Sequence, residues 1–439
     1  GAAAAACGSG AAPPRGPLES ALILSSQWPD PDVSAAGLVT QGRLEVLRNG
    51  LGLRVTMAAE GRPGKAMGQA QSRLGVRCVR LTANSEACIR EVLELSRPQI
   101  VIFDGFNVEE RYGHAVRRAA PGAMRVLDMQ DFHALRLGRE ALVQQGAGLD
   151  EVAHFRPDAH SEELCRELAA VHRCDATLAI SEAERRMLVD DYGVRPAGRV
   201  VAAPWGYPAP ALGEQRKAPP GFLARRGAMF IGNWRHRPNR DAARWLIEEV
   251  WPIVHQALPD VELRVFGANP SRDDMAMSRP AINAVVAGTC GSVAKVMRQH
   301  RLLVAPLRFG AGLKGKVTDA LCHGLVPVTT AVGAEGLDGG RGGGGFPGVL
   351  AGGGAPEFAA AVVRAYSDEA AWCAAQAGGA RLVAEAFDAS ANGGALRDFL
   401  RARWGSLEED RRADFVGQML WLGACRWTEL MAKYIETKG

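Results

Sequence analysis

No pair of cysteines stands at the Cys-x-x-Cys spacing of a metal knuckle or redox motif. The nine cysteines, at 7, 78, 88, 165, 174, 290, 322, 373 and 425, occur singly. That pattern offers no disulfide framework and is expected of reduced thiols in a cytosolic-type compartment. The chain also lacks any window of 18 consecutive apolar residues, so no membrane span is expected. An excess of one charge is missing too: 52 Lys and Arg against 48 Asp and Glu leave +4, spread along the sequence. Nucleic acid is therefore not an expected partner. No Ser-His-Asp order, zinc-like His spacing or Walker loop appears, and no bound metal is expected. The opening Gly1–Cys7 is Ala-rich without Met or a charged segment, which reads as a low-complexity leader, with room for a targeting segment upstream. The expected location is cytoplasmic.

What is present is an ordinary globular composition, 47% hydrophobic and 23% charged over 439 residues, enough for two domains. Short apolar runs alternate with helical patterns: Ala21–Leu24 and a helix over 37–49, then Leu53–Thr56, Val76–Val79, Gln99–Phe103, Arg125–Leu127 and Ala176–Ile180. Repeated β-helix-β spacing predicts a parallel sheet covered by helices on both faces. The stretch Pro204–Arg226, with five prolines, interrupts the alternation. A second series follows: Ala228–Ile231, a helix from about Asn239 to Ala257, Val261–Phe266, Ala284–Val286, Arg301–Val304, a helix from about Leu313 to His323, and Val326–Thr329. Ten glycines within 339–354 predict a flexible surface loop that packs no core. Helical patterns return over 356–386 and about 409–436. The expected division is a leader (1–19), a first α/β domain (20–205), a linker (206–227), a second α/β domain (228–388) and a helical extension (389–439). Two doubly wound, Rossmann-like sheets facing each other make a cleft, and ligands of such sheets bind beyond the carboxyl ends of the strands.

The most informative segment is Val304–Gly324, a strand, a glycine-rich turn and a helix. Gly310 and Gly312 let the backbone approach a ligand, and the helix after them presents free N–H groups and a positive dipole end to an anion. Lys314 and Lys316 add two cations, and Asp319 is placed to accept from a ribose hydroxyl. The same residues spell Gly310-x-Gly312-x-x-Gly315 with Glu335 about 20 residues beyond, a dinucleotide fingerprint, which leaves a dinucleotide-dependent oxidoreductase as an alternative. A bland reading has the lysines solvated and Asp319 complementing the dipole. Asp30-Pro-Asp32 superficially matches an Asp-x-Asp metal site, but suits a turn before a helix capped by Asp32 or Ser34. Trp245 and Trp251 are expected in the core, and His133 on a helix as a polar residue.

Three segments carry a resemblance. Phe230–Asn239 followed by Trp245 and Trp251-Pro252, the run Pro306–Thr330 with Val332–Leu337, and Trp28–Gly37 are similar to the retaining glycosyltransferases of the GT-B fold, the large family that includes sucrose synthases and bacterial mannosyltransferases. The likeness covers about residues 20–385. It implies transfer of a hexose-type sugar from a nucleotide-diphosphate donor, bound mainly by the second domain (228–388), to the hydroxyl of a glycan, lipid or small-molecule acceptor bound mainly by the first (20–205), with retained configuration, no metal and no permanently bound cofactor. By this likeness Asp131, Arg235 and Lys316 are the catalytic candidates. Gly232, Asn233, Asn239, Gly310, Ala311, Gly312, Leu313, Lys314 and Asp319 are the donor-binding candidates, and Ser34, Ala35, Ala36 and Gly37 form a cleft loop. Two departures stand out. Ala311 occupies a position where the family often has an acid, and Gln130 replaces a histidine before Asp131, so a catalytically silent glycan- or nucleotide-binding member is a further alternative.

Overall fold

The computed structural model describes residues 15–31, 33–207, 219–337 and 345–423. Asp32, most of the expected leader, half of the linker, residues 338–344 at the start of the glycine run and the end of the helical extension lie outside the described residues.

The first sheet is built from β1 (Ser20–Ser25), β2 (Arg54–Ala59), β3 (Arg77–Arg80), β4 (Ile100–Asp104), β5 (Met124–Asp128), β6 (Ala176–Ala179) and β7 (Val200–Ala202). Its order is β3-β2-β1-β4-β5-β6-β7, all parallel. The second holds β8 (Ala228–Ile231), β9 (Leu263–Phe266), β10 (Ala284–Gly288), β11 (Leu302–Ala305), β12 (Val326–Thr329) and β13 (Val349–Leu350), in the order β10-β9-β8-β11-β12-β13 and again parallel. The fold is thus α/β with two Rossmann-like sheets. Central strands such as β1 and β11 are buried along their whole length, as a sheet covered on both faces requires.

Two expectations need correction. The glycine run does not end as a bare loop, because Val349 and Leu350 pair with β12 and Ala351 is buried. Two residues of β-forming sequence at a free sheet edge suffice for that. Helix in the extension also begins earlier than the pattern from about 409: an unbroken helix runs Ala389–Ala413, capped by Asp388 accepting from the Ala391 N–H at 2.7 Å, and after Asp414 residues 415–423 are again helical, as expected there. Its Leu396, Leu400, Trp404 and Leu407 pack on one face of the first sheet, beside Ala21, Ile23 and Ile100. Each such side chain contributes about 1.5–3 kcal/mol through burial. Trp245 and Trp251 are both in the core of the second domain. The described cysteines are all free thiols, and among the described residues no helix is long and apolar enough to cross a membrane.

The chain crosses between the domains twice, and the crossings are joined. The Tyr207 N–H donates to Phe387 O at 2.7 Å, and the Ala389 N–H donates to Tyr207 O at 3.1 Å.

Candidate functional site

Segments that leave the carboxyl ends of strands in both sheets meet in one place. From the first domain come the turn after β1, with Ser34 capping the helix Ala35–Glu45 by accepting from the Gly37 N–H at 3.0 Å; the turn after β5, with Gln130 and Asp131; and the turn after β6, with Ser181 capping the short helix that bears Glu184. From the second come the turn after β8, the glycine turn after β11 and the turn after β12, capped by Thr330. The domains touch directly. A Cβ placed on Gly312 would lie 3.2 Å from Asp131 Cβ and 3.3 Å from Ile180 Cγ2, and one on Gly315 would lie 2.9 Å from Ala35 Cβ. Gly312 has φ +67, a conformation that glycine adopts without strain. Gly312→Val is expected to lower stability by about 1–3 kcal/mol and to wedge the domains apart, seen as a larger radius of gyration in small-angle scattering.

The helix Gly315–Cys322 follows Lys314, whose side chain does not cap it, so no cap side chain takes up the N–H groups of its first turn, of which Val317 donates to Lys314 O at 2.8 Å. Lys316 Nζ donates to Asn239 Oδ1 at 2.7 Å and lies 5.6 Å from the Phe230 ring. Asn239 in turn donates to Asn233 O at 3.0 Å. A Cβ on Gly232 would come within 2.6 Å of Asn239 Cγ, so the glycine makes room for that amide. Desolvation, aided by Lys314, pushes the Lys316 ammonium down to about 7. Asp319 accepts from the Tyr207 hydroxyl at 2.6 Å, and desolvation raises its carboxyl to about 6 against the opposing pull of Tyr207 and Lys316. Lys314 is buried elsewhere: its ammonium donates to Gly312 O and stands 3.8 Å from Glu335. Arg235 is exposed beside these groups, as is Arg237, whose guanidinium reaches Glu140 of the first domain at 2.7 Å. The structure therefore brings Gly232, Asn233, Asn239, Lys316 and Asp319 together on the second-domain side, with Asp131 and the Ser34–Gly37 turn opposite, whereas Lys314 turns to Glu335 and Ala311 packs into the first-domain core.

The surroundings of Asp131, itself a candidate from the sequence, include groups that sequence reading did not place in the site. Asp131 accepts from Arg136 Nε at 2.7 Å and lies 2.9 Å from His133 Nδ1. Although desolvation works the other way, these two neighbours hold its carboxyl well below the usual range. His133 thus opens the helix His133–Gln144 as the partner of Asp131. Glu184 is fully buried, accepts from the Phe132 N–H at 3.1 Å, and has no partner on Oε2. Desolvation, then Asp131 and Glu335, raise it to about 8, so it is neutral at pH 7. Arg139, reaching across from the first domain, is the least foreseen, because its partners lie 171 and 196 residues away. Among the described residues no group of three or more His, Cys, Asp or Glu is arranged to hold a metal ion.

Comparison with known proteins places this geometry. Residues 225–368 match the family model of glycosyl transferases group 1, and this span contains every predicted donor residue. The overall arrangement is the GT-B glycosyltransferase fold. Anabaena Alr3699/HepE, solved with UDP and glucose, superposes with a TM-score of 0.61 at 12% identity, over 87% of this chain and 100% of that one. Sucrose-phosphate synthase from Thermosynechococcus elongatus gives 0.62 at 16%, over 88% and 99%. A protein of the Klebsiella pneumoniae cps region, of 44.6 kDa and uncharacterized, is 24% identical over 115 residues, 25% of this chain. The match spans 30% of that relative's length.

Proposed function

We propose that the protein is a retaining glycosyltransferase that moves a sugar, of hexose type, from a nucleotide-diphosphate donor to an acceptor hydroxyl. The observation that carries this reading is the convergence of Lys316, Asn239, Asp319 and the Gly315 helix start within the span that matches glycosyl transferases group 1. The UDP and glucose bound to the HepE fold relative support it.

In this reading the diphosphate lies against the helix N-terminus and Lys316, with Arg235 at the rim, and Asp319 meets the ribose. As the acceptor oxygen bonds to the anomeric carbon, the bond from that carbon to the diphosphate oxygen breaks. The negative charge arriving on the diphosphate is stabilised by donors already in place. Asp131, held ionised by Arg136 and His133, is a poor proton acceptor; it steadies positive charge growing on the sugar and orients the acceptor, whose proton leaves with the diphosphate. No metal or resident cofactor enters this scheme. The acceptor is a glycan, lipid or small molecule.

A thermal-shift panel with UDP, GDP, ADP and NAD tests the site. One nucleoside diphosphate at 100 times its Kd is expected to add about 2.7 kcal/mol and raise the midpoint by several degrees. A shift with NAD alone would replace this reading with the oxidoreductase one. Proton NMR of the product reads the anomeric configuration, and inversion would remove the retaining part.

A further inference from the structure

The Arg139 guanidinium joins three pieces of the molecule. It donates to Val152 O at 3.1 Å and Ala153 O at 3.0 Å within its own domain, and across the cleft to Gly310 O at 2.9 Å and to both Glu335 oxygens at 2.8 and 2.9 Å. Only 1% of its side chain is exposed. A buried guanidinium with every bond direction used holds its partners in a fixed plane, which a flexible ammonium does not do. Glu335 is the second half of the device. Desolvation would raise its carboxyl, yet Arg139 and Lys314 together keep it below its ordinary value, hence ionised. Its other cation, Lys314, grips Gly312 O, so the two ends of the Gly310–Gly312 turn are each held by a cation that shares Glu335. The turn therefore takes this shape when the first domain delivers Arg139 to it.

We propose that Arg139, paired with Glu335, is a positioning residue that shapes the sugar-facing wall of the donor loop on domain closure. The inference rests on the donor-site reading above. Groups assigned to the nucleoside diphosphate, namely Lys316, Asn239, Asp319 and the helix start, all belong to the second domain, and their hydrogen bonds run to Asn239, Asn233 and Tyr207, none of them to Arg139 or Glu335. The sugar lies beyond the diphosphate, on the side where Gly312 meets Asp131 and Ile180 and where Glu184 keeps an oxygen without a partner. Loss of Arg139 thus disturbs the sugar end of the site and leaves the nucleotide end intact.

The test uses the full chain and binding alone, so it needs no acceptor. Calorimetry measures the affinity of wild type, Arg139→Ala, Arg139→Lys, Glu335→Ala and the Arg139→Ala/Glu335→Ala double variant for UDP and UDP-glucose, GDP and GDP-mannose, and ADP and ADP-glucose. For the pair that wild type binds, Arg139→Ala is expected to lose at least tenfold in affinity for the nucleotide sugar while the nucleoside diphosphate moves less than threefold. Arg139→Lys retains charge without the fork and is expected to recover little of the loss. The double variant is expected to be no worse than either single one, since the two residues act as one unit. Equal losses for diphosphate and nucleotide sugar, unchanged binding of both, or additive losses in the double variant would overturn the proposal and leave the donor site standing. Wild type that binds none of the six ligands overturns the donor-site reading itself, and with it this inference.

Discussion

Lys316→Ala weakens nucleoside diphosphate binding by about 10- to 100-fold, the expected loss of one charge-assisted contact worth about 1.5–3 kcal/mol. The free protein is expected to be no less stable, because its ammonium is enclosed with an amide oxygen as its hydrogen-bond partner and burying it opposes folding. The two effects separate binding from folding in one variant. The pH dependence adds a second signature. With the empty-site ammonium at about 7, binding below that pH finds Lys316 already charged, whereas binding above it must take up a proton. Wild-type affinity is therefore expected to fall by up to about tenfold per pH unit from pH 7 towards 9. Lys316→Ala flattens that slope, and Lys316→Arg keeps the contact charged throughout. Calorimetry in buffers of different ionisation enthalpy counts the proton directly. A steep slope retained in Lys316→Ala would assign the titration to another group.

The largest stability effect is expected at Asp175, away from the cleft. Its buried carboxylate accepts from the Arg125 N–H at 2.7 Å, pairs with the Arg125 side chain at 2.9 Å, and receives Arg411 through two bonds at 2.8 and 2.7 Å. Removing one partner of such a cluster leaves two guanidinium groups facing each other in a buried place. Asp175→Ala is expected to cost about 3–5 kcal/mol. Because Arg411 sits on the long helix Ala389–Ala413, limited proteolysis should cut there first. Arg411 and Arg125 hold the carboxyl of Asp175 below its ordinary range although desolvation alone would raise it. Its stabilisation is therefore complete at neutral pH and is withdrawn as pH falls below about 4, so the gap between wild type and variant should narrow in acid. Urea melts at pH 7 and pH 3 measure both. A variant as stable as wild type at pH 7 would remove this cluster from the account of how the helix is held.

Much of the fold was legible because parallel strands buried on both faces read as plain apolar runs, as Ala21–Leu24 and Leu302–Val304 do. The shortest strands were not. Val200–Ala202 and Val349–Leu350 are set by pairing to a neighbouring strand, which no local pattern reveals. The helix Ala389–Ala413 hides its apolar face among Gly393, Gly394 and several arginine and acidic residues, so its first twenty residues were missed while helix from about 409 was read. In the candidate site, glycines and lysines on a strand-turn-helix singled out the turn after β11, since that pattern is local. Arg139 and Glu184 were invisible for the opposite reason. Each is one charged residue on an ordinary helix; the partners of Arg139 at Gly310 and Glu335 lie far along the chain, and the burial of Glu184 is set by packing that no local pattern reveals.

The joined crossings at Tyr207 and Ala389 also bear on how the protein is made. The second domain interrupts the first, whose apolar face at Ala21, Ile23 and Ile100 is covered by residues 396–407. On a ribosome those residues emerge roughly 200 positions after β7, a wait of about 10–40 s at ordinary synthesis rates. The inserted domain is then whole before the domain that was started first, reversing the usual N-to-C order of folding. During that interval the nascent chain carries an uncovered apolar sheet face, the kind of surface that chaperones hold.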